Sequence, residues 1–98
     1  MKDTFQPAVY LLASKPDGTL YVGVTLNLAQ RVFQHREGFI DGFTKQYAVK
    51  MLVWYELHST MEFAIAKEKT MKEWKREWKI KRIRHMNPSW ADLYASIL

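Results

Sequence analysis

The chain has 98 residues, of which 48% are hydrophobic and 14% aromatic, so it has enough apolar material for one modest core and is not disordered. It contains no cysteine, which excludes disulfide bonds, cysteine-based zinc sites and thiol nucleophiles. The net charge of +5 favours a polyanionic partner, although many basic proteins bind none. We expect a single domain over residues 1–98, whose chemistry depends on Tyr, His, Arg, Lys, Glu or Asp.

No segment of the sequence favours export or membrane insertion. Residues 1–6 contain no apolar signal-peptide core. Apolar stretches such as Ala8–Ala13 are far shorter than the roughly 18 to 20 residues that a membrane span needs. The expected location is the cytoplasm, without a membrane partner.

The first third of the chain predicts a β-hairpin followed by a helix. Residues 7–14 and 20–24 favour strands, and the Pro-Asp-Gly sequence between them favours a tight turn, because proline presets φ and glycine accepts a positive φ. Asn27 is a candidate N-cap for a helix that runs through His35 and ends near Gly38.

The remaining two thirds predict a loop, a strand and helices. Residues 39–46 favour a loop, and residues 47–57, rich in Val, Trp and Tyr, favour a third strand. Residues 59–62 match a capping box at the start of a long helix over about 61–78, which continues to residue 86. A short closing helix is expected from Ser89. The predicted fold class is α+β, a three-stranded, mainly antiparallel sheet flanked by helices in the order β-β-α-β-α-α.

Glu68 is a charged residue on a helix face that should be buried. It lies four residues after Ala64 and three before Met71. Carboxylates are rarely buried unless they are paired or bind a metal ion, because removing water from a charge costs several kcal/mol. Two interpretations are open: Glu68 forms an ion pair with Lys72 at i+4, or it is a metal ligand.

Arg31 and His35 lie four residues apart on the first predicted helix, beside Leu28 and Val32, which should face the sheet. An arginine offers a planar fork for phosphate oxygens, and a histidine can exchange a proton near neutral pH. The pair therefore suits phosphodiester chemistry, and a solvated helix face is the alternative interpretation.

Tyr10 and Tyr21 lie on the two strands of the predicted hairpin, close to each other across the sheet. Tyrosines in strands are usually packing residues. A phenol, with a pKa near 10, is a poor base at neutral pH unless a metal-bound water or a nearby cation assists it. A catalytic role for these tyrosines would therefore require a metal ion or a cation.

The second predicted helix carries many basic residues interleaved with Trp74 and Trp78. Such a pattern is typical of a phosphate-binding helix, and also of a solvated face whose tryptophans belong to the core. The candidate nucleic-acid contacts are Lys67, Lys72, Lys75, Arg76 and Lys79.

In order and spacing, these residues resemble the GIY-YIG nuclease superfamily, in particular its small stand-alone endonucleases related to the excinuclease catalytic domain. Residues 8–10 (Ala-Val-Tyr) occupy the position of the family's Gly-Ile-Tyr motif, and residues 21–23 (Tyr-Val-Gly) occupy that of its Tyr-Ile-Gly motif. Glu68 falls where the family keeps its metal-binding glutamate. Residues 87–93 resemble the tail of the small stand-alone members, so the resemblance covers nearly the whole chain.

The resemblance implies hydrolysis of a phosphodiester bond in one DNA strand, with one Mg²⁺ or Mn²⁺ held by Glu68. Tyr21 would be the general base, and Tyr10 would position the attacking water or share that role. Arg31 would neutralise the developing charge, and His35 would assist proton transfer or hold a phosphate. The implied catalytic residues are Tyr10, Tyr21, Arg31, His35, Glu68 and, for ordering the site, Asn87.

Two functions without catalysis are the alternatives. The first is a catalytically silent nucleic-acid-binding module of the same fold, and the second is a protein-interaction domain with Trp90 and Tyr94 at its surface. The intact catalytic set argues against both, because a module that only binds has no need for a carboxylate that repels phosphate. DNA binding is expected to be independent of sequence and to weaken steeply with salt.

Overall fold

The computed structural model describes residues 5–98 and contains a three-stranded sheet. The strands are β1 (Ala8–Ala13), β2 (Leu20–Thr25) and β3 (Met51–Leu57), in the spatial order β2-β1-β3. Both neighbours of β1 run antiparallel to it. This arrangement confirms the predicted fold class. The central strand is buried along its whole length, which explains its unbroken apolar sequence.

The turn between β1 and β2 differs in one detail from the prediction. Asp17, not Gly18, has the positive φ, at 57°. Gly18 is required for a different reason, which is that a side chain does not fit at this position. A Cβ there would clash with the side chains of Ser14 and Lys15. The amide of Gly18 donates to the carbonyl of Lys15 at 2.9 Å, which closes the turn.

The first helix, α1 (Leu28–Arg36), begins and ends as predicted. The Asn27 side chain accepts a hydrogen bond from the amide of Gln30 at 3.1 Å, and Gly38 follows the helix with φ of 73°. The predicted loop contains a single helical turn, α2 (Phe43–Gln46). The predicted start of the third strand at residue 47 is wrong, since Ala48 has a φ of 54° that no strand accommodates.

The single long helix predicted from residue 61 is also wrong, because two helices occupy this part of the chain. They are α3 (Met61–Glu73) and α4 (Arg76–Met86), separated at Trp74, whose backbone is extended at φ −66° and ψ 146°. The indole of Trp74 packs against the core at this break. The cap of α3 is Thr60, whose hydroxyl accepts from the amide of Phe63 at 3.2 Å, rather than the capping box expected over residues 59–62.

The chain closes with a 3-10 helix, Leu93–Ile97, in place of the helix expected from Ser89. Asp92 caps it by accepting a hydrogen bond from the amide of Tyr94 at 3.1 Å. The same carboxylate accepts from the amide of Leu52 in β3 at 3.2 Å and pairs with Arg36 of α1 at 2.6 Å. These bonds hold the end of the chain against the sheet and α1.

The sheet separates two apolar clusters. Alternate side chains of β1, such as Tyr10 and Leu12, pack with Leu28 and Val32 of α1. The side chains between them point to the other face and pack with α3 and α4: Val9, Leu11 and Ala13 with Ala64, Met71 and Ile83.

Within residues 5–98, none of the helices has both the length and the apolar character that a membrane crossing requires.

Candidate active site

Tyr10 lies at the centre of the sheet, opposite Gly23 of β2. Its ring crosses the space where a side chain at position 23 would stand, because a Cβ built on Gly23 would clash with the phenol of Tyr10. Tyr10 is only 1% exposed. The glycine of the Tyr-Val-Gly motif is therefore needed to let the Tyr10 ring cross from one strand to the next.

A chain of buried hydrogen bonds fixes the Tyr10 hydroxyl. The Tyr10 Oη atom lies 3.0 Å from Nε2 of His35, and the Nδ1 atom of His35 lies 3.0 Å from Oγ1 of Thr44. His35 is 2% exposed, and Thr44 is also buried. Three elements, β1, α1 and α2, therefore contribute one continuous polar chain inside an otherwise apolar cluster.

The protonation state of this chain follows from its burial. Burial, and to a smaller degree the charge of Arg31, lowers the pKa of His35 to about 4. Burial, followed by the charges of Tyr21 and Glu68, raises the pKa of Tyr10 above its usual range, although Arg31 opposes this shift. At neutral pH the phenol is therefore protonated and the imidazole is neutral, so the hydrogen bonds that join Tyr10, His35 and Thr44 connect uncharged groups.

This result corrects the expectation that His35 exchanges a proton near neutral pH. Its protonation is displaced well into the acid range. The neutral imidazole thus holds the Tyr10 hydroxyl through a hydrogen bond and is not an acid at neutral pH.

Tyr21 lies beside this chain and is less buried than Tyr10. Its ring centroid lies 6.3 Å from that of Tyr10 and 5.5 Å from that of His35. On its outer side it stacks with Phe43 of α2 at 6.4 Å. Because Phe43 is exposed, Tyr21 connects the buried cluster to the surface.

Arg31 and Glu68 complete the set of side chains that the structure brings together. Arg31 precedes His35 by one turn of α1, and its side chain lies near the Tyr10 phenol, on which its charge acts. Glu68 projects from α3, and its charge acts on the same phenol. Side chains from β1, β2, α1 and α3 therefore meet around Tyr10.

Glu68 forms the ion pair that was one of its two predicted roles. Its Oε2 atom lies 2.8 Å from Nζ of Lys72. The Glu68 side chain is 13% exposed and that of Lys72 is 52% exposed, so the carboxylate is held at the edge of the core and the ammonium reaches solvent. The hydrogen bond to Glu68 is the main cause that raises the pKa of Lys72, and the charge of Tyr21 adds to it. Lys72 is therefore close to Tyr21 as well.

The donor set limits the kind of metal ion that this site could hold. Within residues 5–98, no three His, Asp or Glu side chains form a cluster that could bind a metal ion. Glu68 supplies one carboxylate, of which Lys72 occupies a single oxygen. One protein carboxylate, with water and phosphate as the other ligands, fits Mg²⁺ or Mn²⁺ and does not fit a structural metal.

Asn87 does not belong to this cluster, contrary to the sequence-based expectation. Its amide donates to the carbonyl of Val53 at 3.1 Å and to that of Ala91 at 2.8 Å, and its oxygen accepts from the amide of Ala91 at 3.1 Å. Val53 is the extra residue at the irregularity in the pairing of β1 with β3. Asn87 therefore supports the strand irregularity and the turn after α4.

The predicted nucleic-acid contacts do not form one stripe, because the helix that carries them is broken. Arg76 donates to the carbonyls of Asp17 and Gly18, at 2.7 and 2.6 Å, so it holds the hairpin turn. Lys72 is paired with Glu68. Lys67 lies 3.8 Å from a carboxylate oxygen of Glu56 and 5.6 Å from the ring centre of Trp74.

Two further lysines lie beyond the helix break. Lys75 is exposed beside Trp78, and Lys79 is half-buried. Trp90, which the protein-interaction hypothesis placed at the surface, is buried. Tyr94 is half-buried, with the guanidinium of Arg36 4.6 Å from its ring centre.

Thr44 and Phe43 are parts of the site that the sequence did not indicate. Both lie on the short helix in the predicted loop, where neither periodicity nor composition distinguishes them from solvated residues. The signal that could have indicated Thr44 is the chemistry of His35. A buried imidazole has two nitrogens that need hydrogen-bond partners, and Tyr10 supplies only one.

The comparisons with known proteins agree with this geometry. The family model of the GIY-YIG catalytic domain matches residues 6–81. A UPF0213 protein of Staphylococcus haemolyticus is 33% identical over 75 residues, which are 76% of this chain and 90% of that protein. A UPF0213 protein of Staphylococcus saprophyticus is 31% identical over the same shares. No solved structure gave a significant match. The chain belongs to the GIY-YIG family, whose catalytic domain points to nuclease activity.

Proposed function

We propose that this protein is a metal-dependent DNA endonuclease that hydrolyses a phosphodiester bond in one strand. The observation that carries the proposal is the meeting of Tyr10, Tyr21, Arg31, His35 and Glu68 from four separate elements. Tyrosines that served only to pack the core would not need a cation and a carboxylate beside them.

Tyr21 is the proposed general base. It is the more exposed of the two tyrosines, so water and substrate can reach its hydroxyl. The Lys72 side chain lies close to it, so a cation stands beside the phenol. Tyr21 would take one proton from the water that attacks phosphorus.

Tyr10 is the proposed positioning residue for that water. Its phenol stays protonated at neutral pH and is fixed in place by His35. Arg31, next to Tyr10, would neutralise the charge that builds up on the phosphate oxygens. The proposed role of His35 is then to hold the Tyr10 hydroxyl through their hydrogen bond, while Thr44 holds the imidazole.

Glu68 would hold the divalent ion, Mg²⁺ or Mn²⁺. When bound, the ion would polarise the phosphate and stabilise the leaving oxygen. The carboxylate can serve in this way because Lys72 is a half-exposed partner that can turn towards solvent or phosphate. One metal-binding carboxylate and one base suit cleavage of a single strand.

The proposed substrate is DNA, recognised through its phosphates and without sequence preference. The chain carries 15 Lys and Arg against 10 Asp and Glu. Lys67, Lys75 and Lys79 remain the best placed of the predicted contacts, because Arg76 is committed to the hairpin turn. An affinity that falls steeply between low and physiological salt is expected.

Nicking of supercoiled plasmid by the purified protein tests the proposal. Open circles should accumulate with Mn²⁺ or Mg²⁺ and should not form in EDTA. Absence of nicking with either ion, from protein that still binds the plasmid, would favour the catalytically silent module instead.

A further inference from the structure

A cleft outside the candidate active site lies on the outer face of α4. We call it the tryptophan cleft. It has a volume of about 600 Å³. Most of its lining side chains are spaced i, i+3, i+4 and i+7 along α4, so they share one face of that helix, while Ile83 packs into the core on the other. The lining residues are Trp74, Trp78, Lys81, Arg82 and His85.

Trp78 presents an unusually large apolar surface to solvent. It is 50% exposed, whereas Trp54 and Trp90 are buried in the core. An indole ring is rarely left in solvent, because burying it contributes more than burying other side chains. Its position in a cleft, next to a second indole at Trp74, indicates a planar partner.

The charges around the cleft indicate the chemistry of that partner. Lys75 Nζ lies 5.8 Å from the ring centre of Trp78, and the Arg82 guanidinium lies 5.4 Å from that of Trp74. Within residues 5–98, Lys75, Lys81 and Arg82 form no ion pair with a carboxylate. Glu77 also lies beside Trp78, but these three cations outnumber it, so the net charge around the cleft is positive. A second copy of this chain is disfavoured as the partner, because it would bring like charges together. The cations favour an anion, and the exposed indole favours one that carries planar rings.

We propose that the tryptophan cleft binds an unpaired nucleotide in a single-stranded part of the DNA substrate. The base would stack on Trp78, and the adjoining phosphates would contact Lys81 and Arg82. Duplex DNA cannot bind in this way, because its bases are already stacked on each other. That the bound nucleic acid is DNA rests on the proposed function. The stacking of a base on Trp78 does not require that the protein cleave the strand.

The position of the cleft relative to Glu68 defines a substrate class. Trp74 follows Glu68 by six residues at the end of α3, which is about 9 Å along the helix axis. This axial separation corresponds to about three nucleotides of one strand, so a short nucleic acid is long enough to reach both. The inferred substrate is a junction, such as a flap or a tailed duplex, in which the single strand occupies the cleft and the duplex lies at Tyr21.

Fluorescence anisotropy of labelled DNA in metal-free buffer tests this inference with the full chain. The probes are a single strand of about twelve nucleotides, its blunt duplex, and the duplex with a single-stranded tail. Trp78→Leu should weaken single-strand and tailed-duplex binding by roughly five- to a hundred-fold and blunt-duplex binding by less than about two-fold. Phe63→Leu, which removes another exposed aromatic ring at the far end of α3, is the matched control and should bind like wild type.

A second variant tests the phosphate contact without touching an aromatic ring. Lys81 is exposed, so Lys81→Gln should leave the fold intact. The slope of log affinity against log salt for the single strand should become shallower by about 0.7. Thermal melts of all the variants establish that they are folded.

Several outcomes would overturn the inference. One is a single-strand affinity that Trp78→Leu leaves unchanged, and another is an equal loss of affinity for the single strand and the blunt duplex. The others are tighter binding of RNA of the same sequence, and self-association of the protein that Trp78→Leu abolishes.

The failure of this proposal can be distinguished from the failure of the proposed nuclease function. A protein that nicks plasmid but binds single strands independently of Trp78 rejects only the cleft. A protein that never nicks but needs Trp78 for single strands rejects only the nuclease.

Discussion

The polar groups on the two sides of the sheet are organised in opposite ways. On the α1 side, Tyr10 and His35 are nearly inaccessible and joined by a hydrogen bond of 3.0 Å. On the outer face of α4, Trp78 is half exposed among cations that pair with no carboxylate in the described part of the chain. Chemistry on a phosphate needs groups fixed in advance, whereas binding of a flexible strand needs surface that remains accessible. The comparison therefore separates the proposed reaction centre, whose groups are buried and hydrogen-bonded, from the proposed binding face, whose groups are exposed.

The largest expected effect on stability comes from acid. The pKa of His35 is about 4 in the folded protein, below its unfolded value of 6.5, so the unfolded state binds the extra proton. The free energy of unfolding should be unaffected by His35 above pH 6.5 and should fall by about 3 kcal/mol between pH 6.5 and 4. Denaturant unfolding across this range measures it. His35→Gln should flatten this part of the profile, and an equal slope in wild type and variant would contradict the account.

Gly23→Ala tests the crossing of the Tyr10 ring over β2. A methyl group there clashes with the phenol, and the backbone at this position is not in the left-handed region, so the effect is steric. We expect a loss of roughly 2 to 3 kcal/mol in unfolding free energy and loss of nicking activity. Thermal melts measure the first. The matched control is Gly42→Ala, where nothing lies near the new methyl group and any loss arises from its φ of 104°. A Gly23→Ala variant as stable and active as wild type would show that the ring is free to move.

Thr44→Val tests the end of the polar chain. Valine keeps the shape of the side chain and removes the hydrogen-bond partner of His35 Nδ1. Leaving that buried nitrogen unpaired should lower the unfolding free energy by roughly 1 to 2 kcal/mol. Thr44→Ser, which retains the hydroxyl, should lose less. Equal losses in both variants would assign the effect to packing instead of the hydrogen bond.

Arg76→Gln is expected to have the smallest effect. Its guanidinium holds the hairpin turn through two carbonyls at the surface, so its removal should cost at most about 1 kcal/mol. DNA affinity should change less than in Lys75→Gln, because Lys75 is exposed and forms no ion pair with a carboxylate of residues 5–98. A larger loss of affinity in Arg76→Gln would show that Arg76 leaves the turn to bind phosphate.

The sequence predicted the first half of the fold better than the second. The hairpin and α1 were predictable because local signals act there, namely a Pro-Asp-Gly turn and the Asn27 cap. The break between α3 and α4 was not, since Met71, Trp74 and Trp78 continue the helical spacing and no Gly or Pro intervenes. The break depends on tertiary contacts, which are the packing of Trp74 and the bonds of Arg76 to the hairpin.

The same distinction applies to the site. Tyr10, Tyr21, Arg31, His35 and Glu68 could be proposed because their order and spacing resemble those of the GIY-YIG family. The sequence could not show that His35 would be neutral at pH 7, because the shift depends on burial by elements distant in the chain. Asn87 was assigned to the site for its place in the tail, but its amide is occupied by backbone groups.

Single-turnover cleavage of a labelled DNA duplex by Glu68→Gln tests the central claim most directly. Glu73→Gln, an exposed glutamate of the same helix, is the matched control. With Mn²⁺, Glu68→Gln should cleave at least about a hundred-fold more slowly than wild type, with unchanged melting temperature and DNA affinity, whereas Glu73→Gln should match wild type. Cleavage by Glu68→Gln at the wild-type rate would contradict the assignment of Glu68 as the metal-binding residue of a GIY-YIG nuclease.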